Sequence, residues 1–296
     1  MSNARALSFR TVRLDLLRQA QNADGGWGYK AGGQSWLEPT CLAMLALTGS
    51  EAAPALEKGW KLLRAWQLPG GGYRPAAMVA EPSWATSLCV TLQCVHKVLD
   101  SGFDKGVAWL LGSRGIEGSP LERMLHLVGR MVVEYDPNLK GWPWTPESTS
   151  WVEPTAHALV ALKKVRQQRP ELAGISERIE EGERMLADRR CRDGGWNYGN
   201  RRVLRTDLPS YPETTALALL GLQGATVLPL DRSLTTASRQ WQHTVSRMGR
   251  AWLAIAMRPH GRTLELPDLA PPADLCVVAL EALAMAEGDK RWLEIG

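Results

Sequence analysis

Five carboxylates recur at points where runs of small and apolar residues begin. They are Glu38, Glu81, Glu153, Glu213 and Asp274, and runs such as CLAMLAL and AHALVAL follow them. A carboxylate in the first turn of a helix accepts free backbone N–H groups and complements the helix dipole. The recurrence favours that structural role for most of the five. A carboxyl group withdrawn from water could instead keep its proton and act as a general acid.

Glu153 has the most informative polar neighbour of the five. His157 follows four residues later, which places both side chains on one face of a helix. We therefore predict Glu153 as a candidate general acid and His157 as its proton relay. The alternative is that His157 is a hydrogen-bonded core residue, the more common fate of a lone histidine on a buried helix.

Aromatic residues gather around the same helix starts in a chain with 13 Trp and only two Phe. Ring faces in a cavity stabilise cations by up to ~2 kcal/mol when desolvated. We predict that a ligand contacts several of these rings together with two of the carboxylates. The predicted set is Trp36, Glu38, Trp84, Trp144, Trp151, Tyr211 and Glu213. Packing between repeats is the alternative, and we favour it for Trp27, Tyr73 and Trp196.

One dense basic run extends from Arg189 to Arg205. Its last three arginines, Arg201, Arg202 and Arg205, could hold a diphosphate through charge-assisted bonds or lie against an anionic membrane surface. An exposed charged loop is the alternative interpretation.

Cofactor motifs are nearly absent. Asp274 and Cys276 have the spacing of two zinc ligands, and His157 or His260 could supply a third. However, they occupy the repeat positions of Glu153 and Thr155, so we treat them as a weak metal candidate. We expect no cofactor, with zinc not excluded. Phosphate-binding Gly-rich loops, nucleophile elbows and His-Glu-x-x-His motifs do not occur.

The elements that must position these residues repeat along the chain. Three Gly-rich turns carry an aromatic residue at the same spacing, at Gly25–Trp27, Gly71–Tyr73 and Gly194–Trp196, and a looser one lies at Gly141–Trp144. An amphipathic helix precedes each turn and a helix apolar on every face follows, which is typical of stacked hairpins with buried inner helices. We read the helix that contains Lys105, together with the segment Ser119–Tyr135, as a sixth, degenerate hairpin. The prediction is an all-α, (α/α)6-type toroid (barrel) of about six helical hairpins, forming one domain over residues 1–296.

Composition limits the partners and the compartment. The net charge of +4 is mild and gives no reason to expect nucleic acid. Five Cys without a paired spacing favour a reducing compartment, and the N-terminal residues lack the pattern of a signal peptide. We therefore expect a cytoplasmic protein that is at most peripheral to a membrane.

The repeat resembles that of a known family. Lys58-Gly59-x-x-Leu62-Leu63-x3-Gln67-x3-Gly71-x-Tyr73 is similar to the QW repeat of triterpene cyclases, and the Gly-Gly-Trp turn before a buried helix is shared by the β subunits of protein prenyltransferases. The resemblance implies an isoprenoid or lipid-like ligand in a central cavity. From the prenyltransferases it also implies a protein partner subunit.

Class II cyclases in this family protonate their substrate with an Asp-x-Asp-Asp-Thr stretch. Aligned on Thr155, the resemblance places Glu153 at the proton donor, while Trp151 and Pro154 replace the flanking aspartates. It thus implies a cyclase, or less readily a prenyltransferase. A non-catalytic lipid-binding or protein-interaction toroid is the alternative. A third is a carbohydrate-active enzyme with two carboxylates across a groove, against which the repeated turns argue.

Overall fold

The computed structural model describes residues 3–119, 124, 133–288 and 291–295, and almost all regular structure in them is helical. The helices are α1 (Asn3–Gln19), α2 (Leu37–Leu47), α3 (Ala53–Trp66), α4 (Thr86–His96), α5 (Ser101–Gly112), α6 (Val152–Gln168), α7 (Ile175–Asp188), α8 (Pro212–Gly221), α9 (Asp231–His243), α10 (Arg247–Met257) and α11 (Leu275–Ala284). Two short antiparallel pairs join β1 (Trp142–Pro143) to β2 (Ser150–Trp151) and β3 (Arg202–Val203) to β4 (Thr206–Asp207). A 3-10 turn at Arg258–His260 follows α10.

Six of the described helices form a closed inner ring. Each packs against the next in the order α2, α4, α6, α8, α10 and α11, and α11 packs against α2. Their apolar composition explains their position: ten of the eleven residues of α2 and every residue of α11 are buried. A helix apolar on all faces is stable only between other elements.

The remaining helices lie outside this ring. Helix α3 packs on α2, α5 on α4 and α6, α7 on α6, and α9 on α8 and α10, while α1 packs on α11 and α2. These outer helices are amphipathic: α7 buries Ile175, Ile179, Gly182 and Leu186 on one face, a helical spacing, and exposes charged residues on the other. The all-α (α/α)6 toroid predicted from the repeats is confirmed.

The repeated turns are built by one hydrogen bond that recurs. The backbone N–H of each turn aromatic donates to a threonine hydroxyl in the following inner helix, at 2.9–3.0 Å. The pairs are Trp27 with Thr40, Tyr73 with Thr86, Trp142 with Thr155, and Trp196 with Thr215. The indoles of Trp27, Trp142 and Trp196 also donate to backbone carbonyls at the ends of outer helices. These turn aromatics therefore have a structural role, which the sequence favoured for Trp27, Tyr73 and Trp196.

A second recurring bond links four pairs of neighbouring repeats in the described part of the chain. The carbonyl two residues after a turn aromatic accepts from the start of the preceding inner helix: Pro75 from Leu37, Trp144 from Trp84, and Tyr198 from Val152. The carbonyl of Tyr29 accepts in the same way from Leu275, at 2.8 Å, which joins the last inner helix to the first repeat. The same type of hydrogen bond therefore closes the ring between the last inner helix and the first repeat.

Two details differ from the sequence prediction. The segment Ser119–Tyr135, part of the predicted sixth hairpin, lies largely outside the described residues. The backbone N–H of Trp84 donates to the carbonyl of Trp144, so the repeats on either side of this segment are bonded directly to each other. The sixth inner helix is instead Arg247–Met257. The sequence did not reveal that helix because neither a carboxylate nor a Gly turn precedes it.

Glu81 also does not open a helix: it is exposed, and α4 begins only at Thr86, after a turn closed by Ser83.

Within the described residues, no helix is both long enough and apolar enough to cross a bilayer. The predictions of a cytoplasmic location and of a single domain stay predictions.

Candidate functional site

Four carboxylates from different inner helices face one another at the ring's N-terminal end. We call Glu38, Glu153, Glu213 and Asp274 the central carboxylates; they come from the first turns of α2, α6 and α8 and from the start of α11. Each keeps some accessible surface, although the neighbouring helices withdraw Glu38 and Glu153 from most of the surrounding water. The charges of Glu38 and Glu213 both act on Glu153, and that of Asp274 acts on Glu38. The toroid thus gathers acids that are distant in the chain.

Glu153 has the most perturbed chemistry of this group. Burial among the inner helices, followed by the negative charges of Glu38 and Glu213, raises the pKa of Glu153 to about 8. Both causes penalise the ionised form. At neutral pH this carboxyl group therefore holds its proton, which is the state that a general acid requires.

Hydroxyl groups, rather than helix N–H groups, bond two of the other acids. The Tyr29 hydroxyl donates to Glu38 Oε2 at 2.8 Å, and the Ser246 hydroxyl donates to Glu213 Oε1 at 2.5 Å. Burial raises the pKa of Glu38, although the bond from Tyr29 opposes this. The capping role predicted for the recurring carboxylates holds for Asp274, which accepts from the N–H groups of Cys276 and Val277.

Exposed aromatic rings lie beside the central carboxylates. Tyr29 lies 6.0 Å from Trp36, and Tyr198 lies 5.6 Å from Tyr211, measured between ring centroids. Tyr29, Tyr198 and Tyr211 each expose over 40% of their surface. The negative charges of Glu213 and Glu153 contribute to raising the pKa of Tyr198, after burial, which places this ring next to both acids.

Three aromatic side chains lie below the central carboxylates, on the axis of the ring of inner helices. We call Trp84, His157 and Trp252 the aromatic floor. His157 lies 5.1 Å from Trp84 and 5.5 Å from Trp252, and Trp144 packs edge-on against Trp84 at 5.2 Å. These side chains come from the entrance of α4, from α6 and from α10, so they meet across the centre. His157 is one helical turn below Glu153 on the same face.

His157 is uncharged in this setting. It is 4% exposed, and burial lowers its pKa to about 3. Its Nε2 has no hydrogen-bond partner in the described part of the chain. A neutral imidazole between two indoles makes the floor π-rich, with no fixed positive charge.

The structure places other predicted site residues elsewhere. Trp151 lines a cavity of about 190 Å³ that it shares with Glu117 and Arg189, which we call the side pocket. Arg201 and Arg202 line a separate polar cavity of about 250 Å³ with Arg190 and Arg192.

Each of the three predicted arginines has a local explanation. Arg201 pairs with Asp188, and Arg202 pairs with Glu134 and Asp207. Arg205 is exposed in the β3–β4 turn at φ +64°. None of them is among the groups found to act on the central carboxylates described above.

Asp274 and Cys276, the weak metal candidate, have structural roles. Asp274 caps α11, while Cys276 is 1% exposed and burial raises the pKa of its thiol far above the usual range. Among the described residues, no three His, Cys, Asp or Glu side chains are grouped to hold a metal ion.

Sequence reasoning missed Tyr29, Tyr198, Ser246 and Trp252. A signal for the tyrosines was present: both stand two residues after a turn tryptophan, in the register that Trp144 occupies after Trp142. The backbone carbonyl of that position bonds the neighbouring repeat, which sends its side chain towards the centre. Ser246 caps α10 and Trp252 lies within it, and the start of this helix carried no repeat signal.

Comparison with solved structures agrees with this architecture. The type II terpene cyclase MstE from Scytonema superposes with a TM-score of 0.55 at 15% identity, over 86% of this chain and 73% of the cyclase. A variant of that cyclase in complex with its substrate, geranylgeranyl dihydroxybenzoate, gives 0.53 at 16% identity, over 86% and 72%. A GH8 endo-β-1,4-glucanase from an Achatina fulica gut metagenomic library gives 0.60 at 14% identity, over 92% and 95%.

At these identities the likeness shows the shared fold and leaves the chemistry open. The sequence matches no protein-family model and no curated protein sequence. The same toroid serves a cyclase and a glycosidase, so the function has to be argued from the site itself.

Proposed function

We propose that this protein is an acid catalyst that binds an isoprenoid-like ligand in the mouth of its ring and protonates it with Glu153. The observation that carries the proposal is that a carboxyl group protonated at neutral pH stands one helical turn above an uncharged aromatic floor. An acid and a cation-stabilising wall are the two parts that protonation of an alkene requires.

The chemical step follows from these positions. The Glu153 carboxyl transfers its proton to one carbon of a substrate double bond, whose π electrons form the new C–H bond. The positive charge that develops on the neighbouring carbon faces the rings of Trp84 and Trp252. Attack by a second double bond closes a ring, and loss of a proton from the final cation to Glu153 or water restores neutrality.

In this mechanism His157 is part of the aromatic floor rather than the relay that the sequence suggested. A group with a pKa of about 3 is a poor proton acceptor near pH 7. Its neutral state matters more, because an imidazolium at this place would repel the cation. The charges of the neighbouring carboxylates Glu38 and Glu213 help to keep Glu153 protonated at neutral pH, because they raise its pKa.

The comparisons support this proposal without deciding it. A type II terpene cyclase of the same fold binds geranylgeranyl dihydroxybenzoate, and the repeat resembles that of the cyclases. A partner subunit, contact with a membrane, and diphosphate binding at the arginines remain predictions.

A second function is favoured by a different observation, the convergence of several carboxylates beneath exposed tyrosines. Glycoside hydrolysis uses a protonated carboxyl group as acid and a second carboxylate as base or nucleophile. Glu153 and Glu213 would fill these roles, and glucanases share the fold. The repeated Gly-aromatic turns, which resemble those of cyclases, favour the first function over this one.

One experiment separates these functions. The wild-type protein, Glu153→Gln and the control Glu81→Gln are each incubated with squalene, geranylgeranylated arenes and a β-1,4-glucan, and products are identified by mass spectrometry. The proposal predicts a cyclised isoprenoid from wild type and Glu81→Gln and none from Glu153→Gln. Release of sugars would instead support the second function. Native mass spectra with an unchanged bound lipid would support a non-catalytic carrier.

A further inference from the structure

The central carboxylates differ from other acids of the chain in having no basic partner among the described residues. Glu281, for comparison, pairs with Arg13 at 3.0 Å and with Arg247 at 2.6 Å. In the part of the chain that the structure describes, none of the central carboxylates forms an ion pair. The charged groups that act on Glu38 and Glu153 are themselves acids. This end of the ring therefore carries negative charge that no described basic side chain offsets.

Oxygen atoms of these acids are free to accept hydrogen bonds and can be reached from solvent. The Tyr29 hydroxyl bonds only Oε2 of Glu38. The Ser246 hydroxyl bonds only Oε1 of Glu213. Within the described residues nothing donates to the second oxygen of either carboxylate or to Glu153, and none of these atoms is closed off from solvent. Since a carboxylate oxygen only accepts, a ligand group that bonds it has to be a donor.

Exposed tyrosine rings lie next to these free oxygens. Tyr29 bonds Glu38 directly, and the negative charges of Glu213 and Glu153 act on Tyr198. Both tyrosines expose over 40% of their surface. Their rings offer apolar contact to the carbon atoms that carry a polar head group, while their exposure leaves an approach from solvent.

Charge decides which kind of head group fits this end of the ring. An anionic head group would be repelled, because like charges brought together oppose binding. A cationic head group beside Glu153 would favour the ionised form of that carboxyl group and remove the proton that the proposed mechanism uses. An uncharged hydroxyl group avoids both effects and supplies the donor that the free oxygens require.

From these observations we infer that the substrate is an isoprenoid that ends in an uncharged hydroxyl group, which donates to Glu38 or Glu213. Prenyl diphosphates and isoprenoid carboxylates are excluded from this site. The inference rests on the proposed function for the hydrocarbon part of the ligand and adds the chemistry of its polar end.

The test compares four ligands that share one hydrocarbon chain: geranylgeraniol, its methyl ether, geranylgeranoic acid and geranylgeranyl diphosphate. Tryptophan fluorescence of the full chain near neutral pH gives each dissociation constant. We expect the methyl ether, which cannot donate, to bind at least about threefold more weakly than the alcohol. The two anions should bind at least about tenfold more weakly than the alcohol. Because the readout is binding, it does not require that a cyclised product forms.

Matched variants locate the effect at the central carboxylates. Glu213→Gln keeps an oxygen for the Ser246 hydroxyl and removes one negative charge, so it should bind geranylgeranoic acid at least about threefold more tightly than wild type does. Glu38→Gln keeps an oxygen for Tyr29 and should have the same effect. Glu81→Gln removes an exposed carboxylate outside this group and should bind every ligand as wild type does.

Four results would overturn the inference. They are the failure of all four ligands to bind, equal binding of the alcohol and its methyl ether, binding of either anion as tight as that of the alcohol, and unchanged binding of the acid in both glutamine variants. Tight diphosphate binding that is lost when Arg201 and Arg202 are replaced by glutamine would place the head group at those arginines instead. If the expected order holds but no cyclised product forms, the proposed catalysis fails and the head-group assignment stands.

Discussion

Replacing Glu153 by glutamine should change how stability depends on pH. Burial and two neighbouring acids raise the pKa of Glu153 from its ordinary 4.5 to about 8. Between these values the folded protein holds a proton that the unfolded chain has released. The free energy of unfolding therefore falls by about 1.4 kcal/mol per pH unit as pH rises, and the stabilisation present below pH 4.5 is lost by pH 8.

Over the three units from pH 5 to pH 8 the effect amounts to about 4 kcal/mol for this one side chain. Glu153→Gln cannot ionise, so it should gain that amount relative to wild type across the interval. Urea denaturation followed by tryptophan fluorescence at pH 5, 6, 7 and 8 measures the difference, and other titrating groups largely cancel in it.

Glu81→Gln is the matched control, because it removes a carboxylate of the same sequence motif that lies exposed on the surface. Its denaturation midpoints should follow those of wild type at every pH. A difference between Glu153→Gln and wild type that stays within about 0.5 kcal/mol from pH 5 to pH 8 would refute the reasoning, since substitutions away from special sites vary by that much.

Three further substitutions test how the ring is built, each by urea denaturation. Trp252→Ala removes a 4%-exposed ring from the aromatic floor and should cost about 3–5 kcal/mol; a loss below 1 kcal/mol would mean that the floor is not packed as described. Thr155→Val leaves the buried N–H of Trp142 without its acceptor and should cost about 1–3 kcal/mol, whereas Thr155→Ser keeps the acceptor and should cost clearly less. Gly71→Ala places a side chain at φ +93° against the carbonyl of Lys105 and should destabilise by at least about 1 kcal/mol; wild-type stability would contradict that conformation.

The repeats made the fold predictable because each of them reflects the same local hydrogen-bonding arrangement. A Gly turn, its aromatic residue and the threonine of the next helix are joined by one hydrogen bond, so their spacing in the sequence reflects a distance in space. Helix α10 lacks this arrangement. Its N-cap is Ser246, whose hydroxyl accepts from the N–H of Gly249, and a lone serine is too common in sequences to predict a helix start.

The site was predictable only in part, for a physical reason. The sequence shows that a carboxylate lies at the start of an inner helix, which fixes the end of the ring where it lies. It does not show which side chains of other helices lie next to that carboxylate. Glu153 and Glu38 were both predicted, whereas their mutual effect depends on the closure of the ring. Glu117 and Arg189 carry no motif at all, and only the packing of their loops brings them together.

The central claim is that Glu153 holds its proton at neutral pH, and its most direct test is a titration of that carboxyl group. Carbon-13 NMR of glutamate-labelled protein, with Glu153→Gln to assign the signal, follows the carboxyl shift from pH 4 to pH 10. The account predicts a midpoint near the value of about 8 given by the structure. A midpoint at the ordinary 4.5 would mean that the carboxyl is ionised at neutral pH, and the proposed acid catalysis would then be wrong.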